Sequence, residues 1–308
     1  MSGSLRFVFV GNRRFVLEEM AAVDVDLVSV MIASNTHLQR DYETGRLADL
    51  KTKPVLFSSK HELIDLLAQI DYDILISNGC PFILPISTMK RAVYANIHPS
   101  YLPDLKGIDP VIGAILHQKR SGATCHIMNN EVDAGNIISQ VAINYSDDLD
   151  VALLYQLSFV AEREAFRMAL SRDFKPAKCQ ISSSTDIYYS RSLNDRFVFL
   201  SESNGEIIRK AKAFNNRSQG CFFIYNDNTY KFYEAEILRN SFLSKHAEKF
   251  RNLEIIFAYE DNLIIRKDFE VIKFSRIIGN ISDFKPHSLL IVAKPSDFSI
   301  EVKGSSQV

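Results

Sequence analysis

The chain has 308 residues and few cysteines, none of them spaced for a disulfide framework or a metal site. Its four cysteines, Cys80, Cys125, Cys179 and Cys221, are far apart and form no CxxC pair. Structural metal sites and disulfide scaffolds both depend on close, repeated cysteine spacings. The sequence therefore predicts no bound metal, and free thiols of this kind fit a reducing cytoplasm best.

Long apolar runs and a strong charge of either sign are also missing. No stretch approaches the roughly 20 apolar residues of a membrane-spanning helix. Met1–Ser4 leads into a strand-like run without the basic region and apolar core of a signal peptide. The formal net charge is −1 and 46% of the residues are hydrophobic. We therefore expect an ordinary soluble protein of one large or two modest domains.

The first half of the sequence alternates between strand-like and helix-like segments. In Lys60–Ile70, for example, Leu63, Leu66, Leu67 and Ile70 recur at helical spacing. This alternation predicts an α/β, doubly wound (Rossmann-like) domain with a mostly parallel sheet. The predicted strands before residue 100 are Leu5–Val10, Leu27–Ala33, Pro54–Phe57, Asp71–Asn78 and Ala92–Ile97, and the flanking helices are Phe15–Ala22 and Lys60–Ile70.

The turn after the first predicted strand, Gly11-Asn12-Arg13, lacks the G-x-G-x-x-G pattern of a dinucleotide site. A glycine-led turn into a helix can still present backbone N–H groups to a phosphate. Asn12 and Arg13 are therefore candidate substrate contacts, and a plain tight turn is the alternative.

A group of polar side chains follows the predicted strand Ala92–Ile97. Asn96, His98 and Ser100 occupy alternate positions at its carboxyl end, which is the edge where ligands bind in open α/β sheets. Further on, two strand-like runs, Thr124–Met128 and Asn136–Val141, predict a hairpin whose connecting loop carries Asp133.

An asparagine, a histidine and an aspartate in this setting suit acyl transfer to an amine without a covalent enzyme intermediate. His98 could accept the proton that the attacking amine loses, with Asp133 orienting it. The Asn96 amide could donate to the oxygen that becomes negative in the tetrahedral intermediate. Taken singly, these residues could equally cap a loop or form an ordinary turn.

The stretch resembles the folate-dependent formyltransferases, whose signature is N-x-H-x-S-x-L-P, then Gly and Pro, and later G-x-T-x-H with D-x-G. The chain carries Asn96-Ile97-His98-Pro99-Ser100-Tyr101-Leu102-Pro103, Gly107 and Pro110, then Gly122-Ala123-Thr124-Cys125-His126 and Asp133-Ala134-Gly135. The likeness covers about the first 175 residues closely and continues more weakly beyond them.

The resemblance implies that Asn96, His98 and Asp133 are the catalytic set, and that 10-formyltetrahydrofolate is the formyl donor, without a metal. It also implies that the loop within Gly79–Pro85 holds the pterin by backbone contacts. The folate contacts expected from it are Cys80, Pro81, Phe82, Ile83, Leu84, Asn129, Asn130 and Val132. Lys106, beside the catalytic loop, is either a substrate contact or a solvated cation.

After residue 185 the pattern changes to short strands separated by polar turns, as in a small open barrel. We expect a catalytic domain over residues 1–180, a smaller β-rich domain over 186–302 and a tail over 303–308. The order of motifs in this part resembles the C-terminal domains of methionyl-tRNA and sugar formyltransferases. The same resemblance implies a homodimer.

The charge distribution bears on which amine accepts the formyl group. Asp186–Val308 contains 18 Lys and Arg against 16 Asp and Glu, a weak positive balance for binding tRNA phosphates. Pro99 and Tyr101 stand where tRNA enzymes usually carry alanine and leucine. We therefore expect N-formylation of an amino-deoxysugar linked to a nucleotide, dTDP by resemblance, as a precursor of bacterial surface polysaccharide. The alternatives are a methionyl-tRNA formyltransferase and a formyl-folate hydrolase or non-catalytic folate-binding protein.

Overall fold

The computed structural model describes residues 4–181 and 183–291. The first half of the chain forms one seven-stranded sheet in the order β3-β2-β1-β4-β5-β6-β7. The first five strands of that order run parallel, and β6 and β7 close the edge as an antiparallel hairpin. The strands are β1 Arg6–Gly11, β2 Asp26–Ala33, β3 Val55–Phe57, β4 Ile74–Asn78, β5 Val93–His98, β6 Ser121–Ile127 and β7 Ile137–Ile143.

Helices cover the sheet, as the prediction of a doubly wound fold requires. All five residues of the central strand β4 are buried, as expected for a strand that is covered on both faces. The helices of this half are α1 Arg14–Ala22, α2 His37–Glu43, α3 Lys60–Ala68, α4 Pro110–Leu116 and α5 Val151–Leu170. The predicted fold class is confirmed.

The strand order places a crevice at the carboxyl ends of β1 and β4. The chain winds from β1 outward to β2 and β3, then returns to add β4 on the other side of β1. In open α/β sheets, ligands bind at such a reversal. The turn that holds Asn12 and Arg13 and the loop that starts at Gly79 both leave the sheet at this point.

The C-terminal part is β-rich, as predicted, and forms two antiparallel sheets. One sheet has the order β10-β13-β12-β11 and the other pairs β8 with β9. Lys231 of β9 also forms a bridge with Ile278, which follows β13 in the chain. The elements are α6 Asn204–Phe214, β8 Cys221–Tyr225, β9 Asn228–Phe232, β10 Glu234–Ile237, α7 Ser241–Ala247, β11 Ile255–Tyr259, β12 Asn262–Lys267 and β13 Glu270–Ser275.

One hydrophobic cluster joins the two parts of the chain. Val111 and Ile115 of α4 and Leu154 of α5 pack in the same buried cluster as Phe214 of α6 and Phe223 of β8. The predicted division into domains near residues 180–186 stays a prediction, and its tail, 303–308, lies outside the described residues. None of the helices described is long and apolar enough to cross a bilayer.

Candidate active site

Strand β5 delivers two polar side chains to the crevice. Asn96 and His98 are its last two alternate residues, so both point to the same face of the sheet. His98 is buried and Asn96 is half-buried. After β5 the chain leaves the sheet through a loop, in which the Ser100 hydroxyl donates to the Asp104 carbonyl oxygen at 3.0 Å.

The neighbouring strand β6 explains the G-x-T-x-H motif. In the antiparallel register, His126 lies opposite Asn96 and Thr124 lies opposite His98. The Thr124 hydroxyl accepts from the Leu102 N–H at 3.1 Å and donates to the Ser100 carbonyl at 2.7 Å, which pins the loop after β5. His126 Nε2 lies 3.2 Å from Asn96 Nδ2. One residue of the motif therefore fixes the loop, and the other contacts Asn96.

Asp133 reaches the same point from the loop between β6 and β7. Its Oδ1 lies 3.5 Å from Asn96 Nδ2, 3.5 Å from His98 Nδ1 and 3.6 Å from His126 Nε2. Its Oδ2 accepts the Gly107 N–H at 3.2 Å. The three residues predicted to be catalytic thus converge, although they are separated by up to 37 positions in the sequence.

Gly135 makes this turn possible. A Cβ at that position would stand 1.7 Å from the Ile127 carbonyl oxygen, which is backbone of β6 and cannot give way. The glycine of the D-x-G motif is therefore required for the loop to pass close enough to β6 to bring Asp133 to the histidines.

The surroundings of His98 favour a neutral imidazole. Burial lowers the pKa of His98 below its ordinary value, although the Asp133 charge and the Leu105 carbonyl act in the opposite direction. Nε2 lies 3.0 Å from the Leu105 carbonyl oxygen, which can only accept, so Nε2 carries the proton. Nδ1, facing Asp133, is then the basic nitrogen.

Asp133 is held as a carboxylate. Burial acts to raise the pKa of Asp133, but His98 and His126 in their protonated forms and the Gly107 N–H outweigh it, and the pKa falls to about 2. A proton taken up at His98 Nδ1 would therefore meet a negative charge 3.5 Å away. The predicted proton transfer requires a neutral His98 and an ionised Asp133, and these are the states that the surroundings favour.

A cavity of about 610 Å³ opens over these residues. Asn96, His98 and Asp133 line it, together with nine of the other residues singled out from the sequence. Those nine are Asn12, Arg13, Cys80, Pro81, Phe82, Ile83, Leu84, Asn129 and Val132.

The structure does not bring Asn130 and Lys106 to the cavity wall, and their roles stay predictions. The backbone of Lys106 pairs with residues 187–189 instead, through hydrogen bonds to the Ile187 carbonyl and from the Tyr189 N–H. Asn130 is an exposed residue of the loop that carries Asp133.

Several cavity residues were not identified from the sequence. His126 was visible as the last residue of G-x-T-x-H, and its place opposite Asn96 follows from the strand register. Ile108 and Tyr188 also line the cavity, but Tyr188 comes from a segment 55 positions after Asp133. Only the tertiary structure shows that it belongs to the site.

Arg13 is anchored by a carboxylate that the sequence analysis did not consider. Its guanidinium forms an ion pair with Glu162 of α5, whose side chain is fully buried. The Asn78 side chain donates to the other oxygen of Glu162 at 3.3 Å. Burial raises the pKa of Glu162, and the charge of Arg13 opposes this shift. A cation held in this way on the cavity wall is suited to an anionic group of a ligand.

Within residues 4–181 and 183–291, no group of three or more His, Cys, Asp and Glu side chains is placed to hold a metal ion. Around Asp133 the cavity wall brings together an amide, two imidazoles and a carboxylate, which is a set suited to proton transfer and to stabilising an oxyanion.

Residues 32–170 match the sequence model of the formyl transferase family. Methionyl-tRNA formyltransferase of Orientia tsutsugamushi is 23% identical over 252 residues, covering 77% of this chain and 82% of that enzyme. The enzyme of Staphylococcus epidermidis is 26% identical over 175 residues, covering 50% of this chain. The chain spans about half the length of this staphylococcal relative, 54%.

Solved structures share the fold over a longer stretch. The sugar 3N-formyl transferase WlaRD, crystallised with dTDP and 5-N-formyl-THF, has a TM-score of 0.67 at 19% identity and covers 91% of this chain and 100% of its own. An N-formyltransferase from Helicobacter canadensis, in complex with folinic acid and dTDP-3-aminofucose, has a TM-score of 0.65 at 18% identity. The match covers 88% of this chain and 99% of that enzyme. The predicted resemblance is confirmed, because residues 32–170 of this chain match the formyl transferase family.

Proposed function

We propose that this chain transfers a formyl group from 10-formyltetrahydrofolate to the amino group of an amino-deoxysugar linked to a nucleoside diphosphate, dTDP in the first instance. The observation that carries the proposal is the convergence of Asn96, His98 and Asp133 on one cavity wall, with contacts of 3.5 Å between Asp133 and each of the other two. The product would be a precursor of surface polysaccharide.

The reaction is a direct attack of the amine nitrogen on the formyl carbon. His98 Nδ1 takes the proton that the amine loses, and the imidazolium is stabilised by Asp133, its neighbour at 3.5 Å. The carbonyl electrons move to oxygen in the tetrahedral intermediate. When the intermediate collapses, the folate nitrogen leaves with a proton returned by His98, giving the formamide and tetrahydrofolate.

Asn96 is placed to stabilise the oxyanion. His126 Nδ1 lies 3.0 Å from the Ile127 carbonyl oxygen and so carries the proton, which makes His126 Nε2 an acceptor for one Asn96 N–H. The second N–H has only a long contact, 3.5 Å, to Asp133. That N–H can turn to the developing negative charge, a contribution worth roughly 3–4 kcal/mol where such donors have been removed.

The loop Gly79–Pro85 and residues Asn129 and Val132 are the proposed folate contacts. Solved neighbours of this fold were crystallised with 5-N-formyl-THF, folinic acid or tetrahydrofolic acid. In this chain the loop supplies apolar side chains, Phe82, Ile83 and Leu84, to a cavity large enough for a drug-sized ligand. This wall is suited to a flat ring system.

The acceptor is proposed from two features together. Arg13 is an anchored cation on the cavity wall, and two solved neighbours were crystallised with dTDP or a dTDP-linked amino sugar. The rival acceptor, methionyl-tRNA, is supported by the names of the sequence relatives. Against it stands the weak positive balance of residues 186–308, 18 basic against 16 acidic side chains.

A screen of nucleotide-linked amino sugars with 10-formyltetrahydrofolate, read by mass spectrometry, tests the proposal. We expect one acceptor to gain a single formyl group, and the His98→Ala variant to lose at least ~100-fold in turnover. Absence of any formylated sugar, with formylation of methionyl-tRNA and its retention at low salt, would establish the rival. Release of formate without any acceptor would instead indicate a formyl-folate hydrolase.

A further inference from the structure

A short segment from beyond the matched domain lies against the catalytic loop. The Lys106 N–H donates to the Ile187 carbonyl at 3.0 Å, and the Tyr189 N–H donates to the Lys106 carbonyl at 2.8 Å. The Asp109 N–H donates to the Tyr189 carbonyl at 3.3 Å, and the Asp109 carboxylate accepts the Arg191 N–H at 3.1 Å. Residues 187–191, the docked segment, are therefore fixed to residues 106–109 by both backbone and side-chain bonds.

The docked segment places an aromatic ring against Gly107, whose N–H donates to Asp133. A Cβ on Gly107 would stand 3.0 Å from Tyr188 Cε1 and 3.1 Å from its Cζ, so the ring packs closely against Gly107. The Gly107 N–H is the group that holds Asp133 Oδ2. Gly107 therefore contacts both the Tyr188 ring and Asp133, and Tyr188 and Asp133 line the same cavity.

Tyr188 and Ile108 contribute large apolar side chains to the cavity lining. Tyr188 is nevertheless 61% exposed and Ile108 is 78% exposed. Large apolar side chains gathered at a cavity entrance commonly mark a binding surface. A tyrosine ring held by its backbone and open on one face is suited to stacking on a flat heterocycle.

We infer that Tyr188, with Ile108, stacks on the nucleobase of the acceptor and thereby helps to select a nucleotide-linked substrate. The inference rests on the proposed function. The base, rather than the folate, is assigned to Tyr188 for two reasons. The docked segment lies outside residues 32–170, the part of the chain that matches the formyl transferase family. The proposed folate contacts, Gly79–Pro85 with Asn129 and Val132, come from other loops.

Binding measurements on Tyr188→Ala and Tyr188→Phe test the inference. The probes are dTDP, inorganic pyrophosphate and 5-formyltetrahydrofolate, each titrated by calorimetry. We expect Tyr188→Ala to weaken dTDP binding by ~5- to 100-fold, the range for removing one base–aromatic stack. Pyrophosphate and 5-formyltetrahydrofolate should bind it within twofold of the wild-type protein, and Tyr188→Phe should bind dTDP like the wild type.

Tyr259→Ala is the matched control, because Tyr259 is an exposed tyrosine on β11, away from the cavity lining. Unchanged dTDP affinity in Tyr188→Ala overturns the stacking role alone. An equal loss of 5-formyltetrahydrofolate binding would assign the ring to the donor and overturn it too. A wild-type protein that binds no dTDP and formylates no nucleotide-linked sugar overturns the proposed function and, with it, this inference.

Discussion

Replacing Asp133 by asparagine isolates the charge that the proposed proton transfer needs. The amide has the same shape as the carboxylate and can still accept the Gly107 N–H, which Oδ2 accepts at 3.2 Å. What it loses is the negative charge 3.5 Å from His98 Nδ1. This charge contributes little while His98 is neutral and much when His98 has taken the proton from the amine, so its effect falls on the transition state.

The magnitude follows from the distance. Two unit charges 3.5 Å apart attract by roughly 4–5 kcal/mol at an effective dielectric constant of about 20. Part of this is recovered by water and by the dipole of the new amide. Because each 1.36 kcal/mol is about tenfold in rate, we expect kcat/KM to fall between about 100-fold and about 1,000-fold.

The assay is the initial rate of formyl transfer at saturating 10-formyltetrahydrofolate, followed by mass spectrometry over a range of pH. The Asp133 charge acts to raise the pKa of His98, so the acidic limb of the Asp133→Asn profile should move to lower pH. Circular dichroism and the thermal midpoint serve as the control for folding. A folded variant with kcat/KM within tenfold of the wild type, and an unmoved acidic limb, would refute the reasoning.

Three further predictions concern the same site. Because burial lowers the pKa of His98 from its ordinary value and the neutral form is the base, the acidic limb of kcat/KM should have its midpoint below the ordinary histidine value of about 6.5; a midpoint at or above that value would contradict this. Gly107→Ala should lower the free energy of unfolding by roughly 2 kcal/mol or more, since φ is +104° and the new Cβ would stand 2.6 Å from the Tyr189 carbonyl oxygen. Gly45→Ala, with φ +77° and open space around it, is the control and should cost about 1 kcal/mol in denaturant titrations. Chelators should leave formyl transfer unchanged, and a loss of activity that added metal restores would overturn the metal-free mechanism.

Much of the sheet and of the catalytic set could be predicted from the sequence, because both rest on local signals. Buried strands such as β4 and β5 read as short apolar runs, and Asn96 and His98 follow from the alternation within one strand. Asp133 required only a hairpin, whose two strands are adjacent in the chain.

The helix α4 was not identified, and its burial explains why. Of Pro110–Leu116, six of the seven residues are buried, so no polar face marks a helical period. The run Pro110-Val111-Ile112-Gly113-Ala114-Ile115-Leu116 is as compatible with a strand as with a helix on composition. The first-turn proline was the available signal, since proline is favoured at the start of helices.

Tyr188 could not have been placed from the sequence for a different reason. Its position depends on pairing between residues 106–109 and 187–191, about 80 positions apart, and no local pattern encodes such a register. The same pairing turns the Lys106 backbone toward the docked segment, and no local pattern indicates this for a residue that the sequence offers as either a substrate contact or a solvated cation.

The hydrophobic cluster shared by α4, α5 and the C-terminal strands couples the unfolding of the two parts of the chain. If the C-terminal strands unfolded, Val111 and Ile115 would be exposed to water. Both residues lie on α4, the helix that follows the loop containing Gly107. Without this packing α4 would not keep its orientation, and Asp133 would lose the hydrogen bond that it accepts from the Gly107 N–H. Denaturant should therefore abolish catalysis and all three sheets in one cooperative step, with no surviving active fragment.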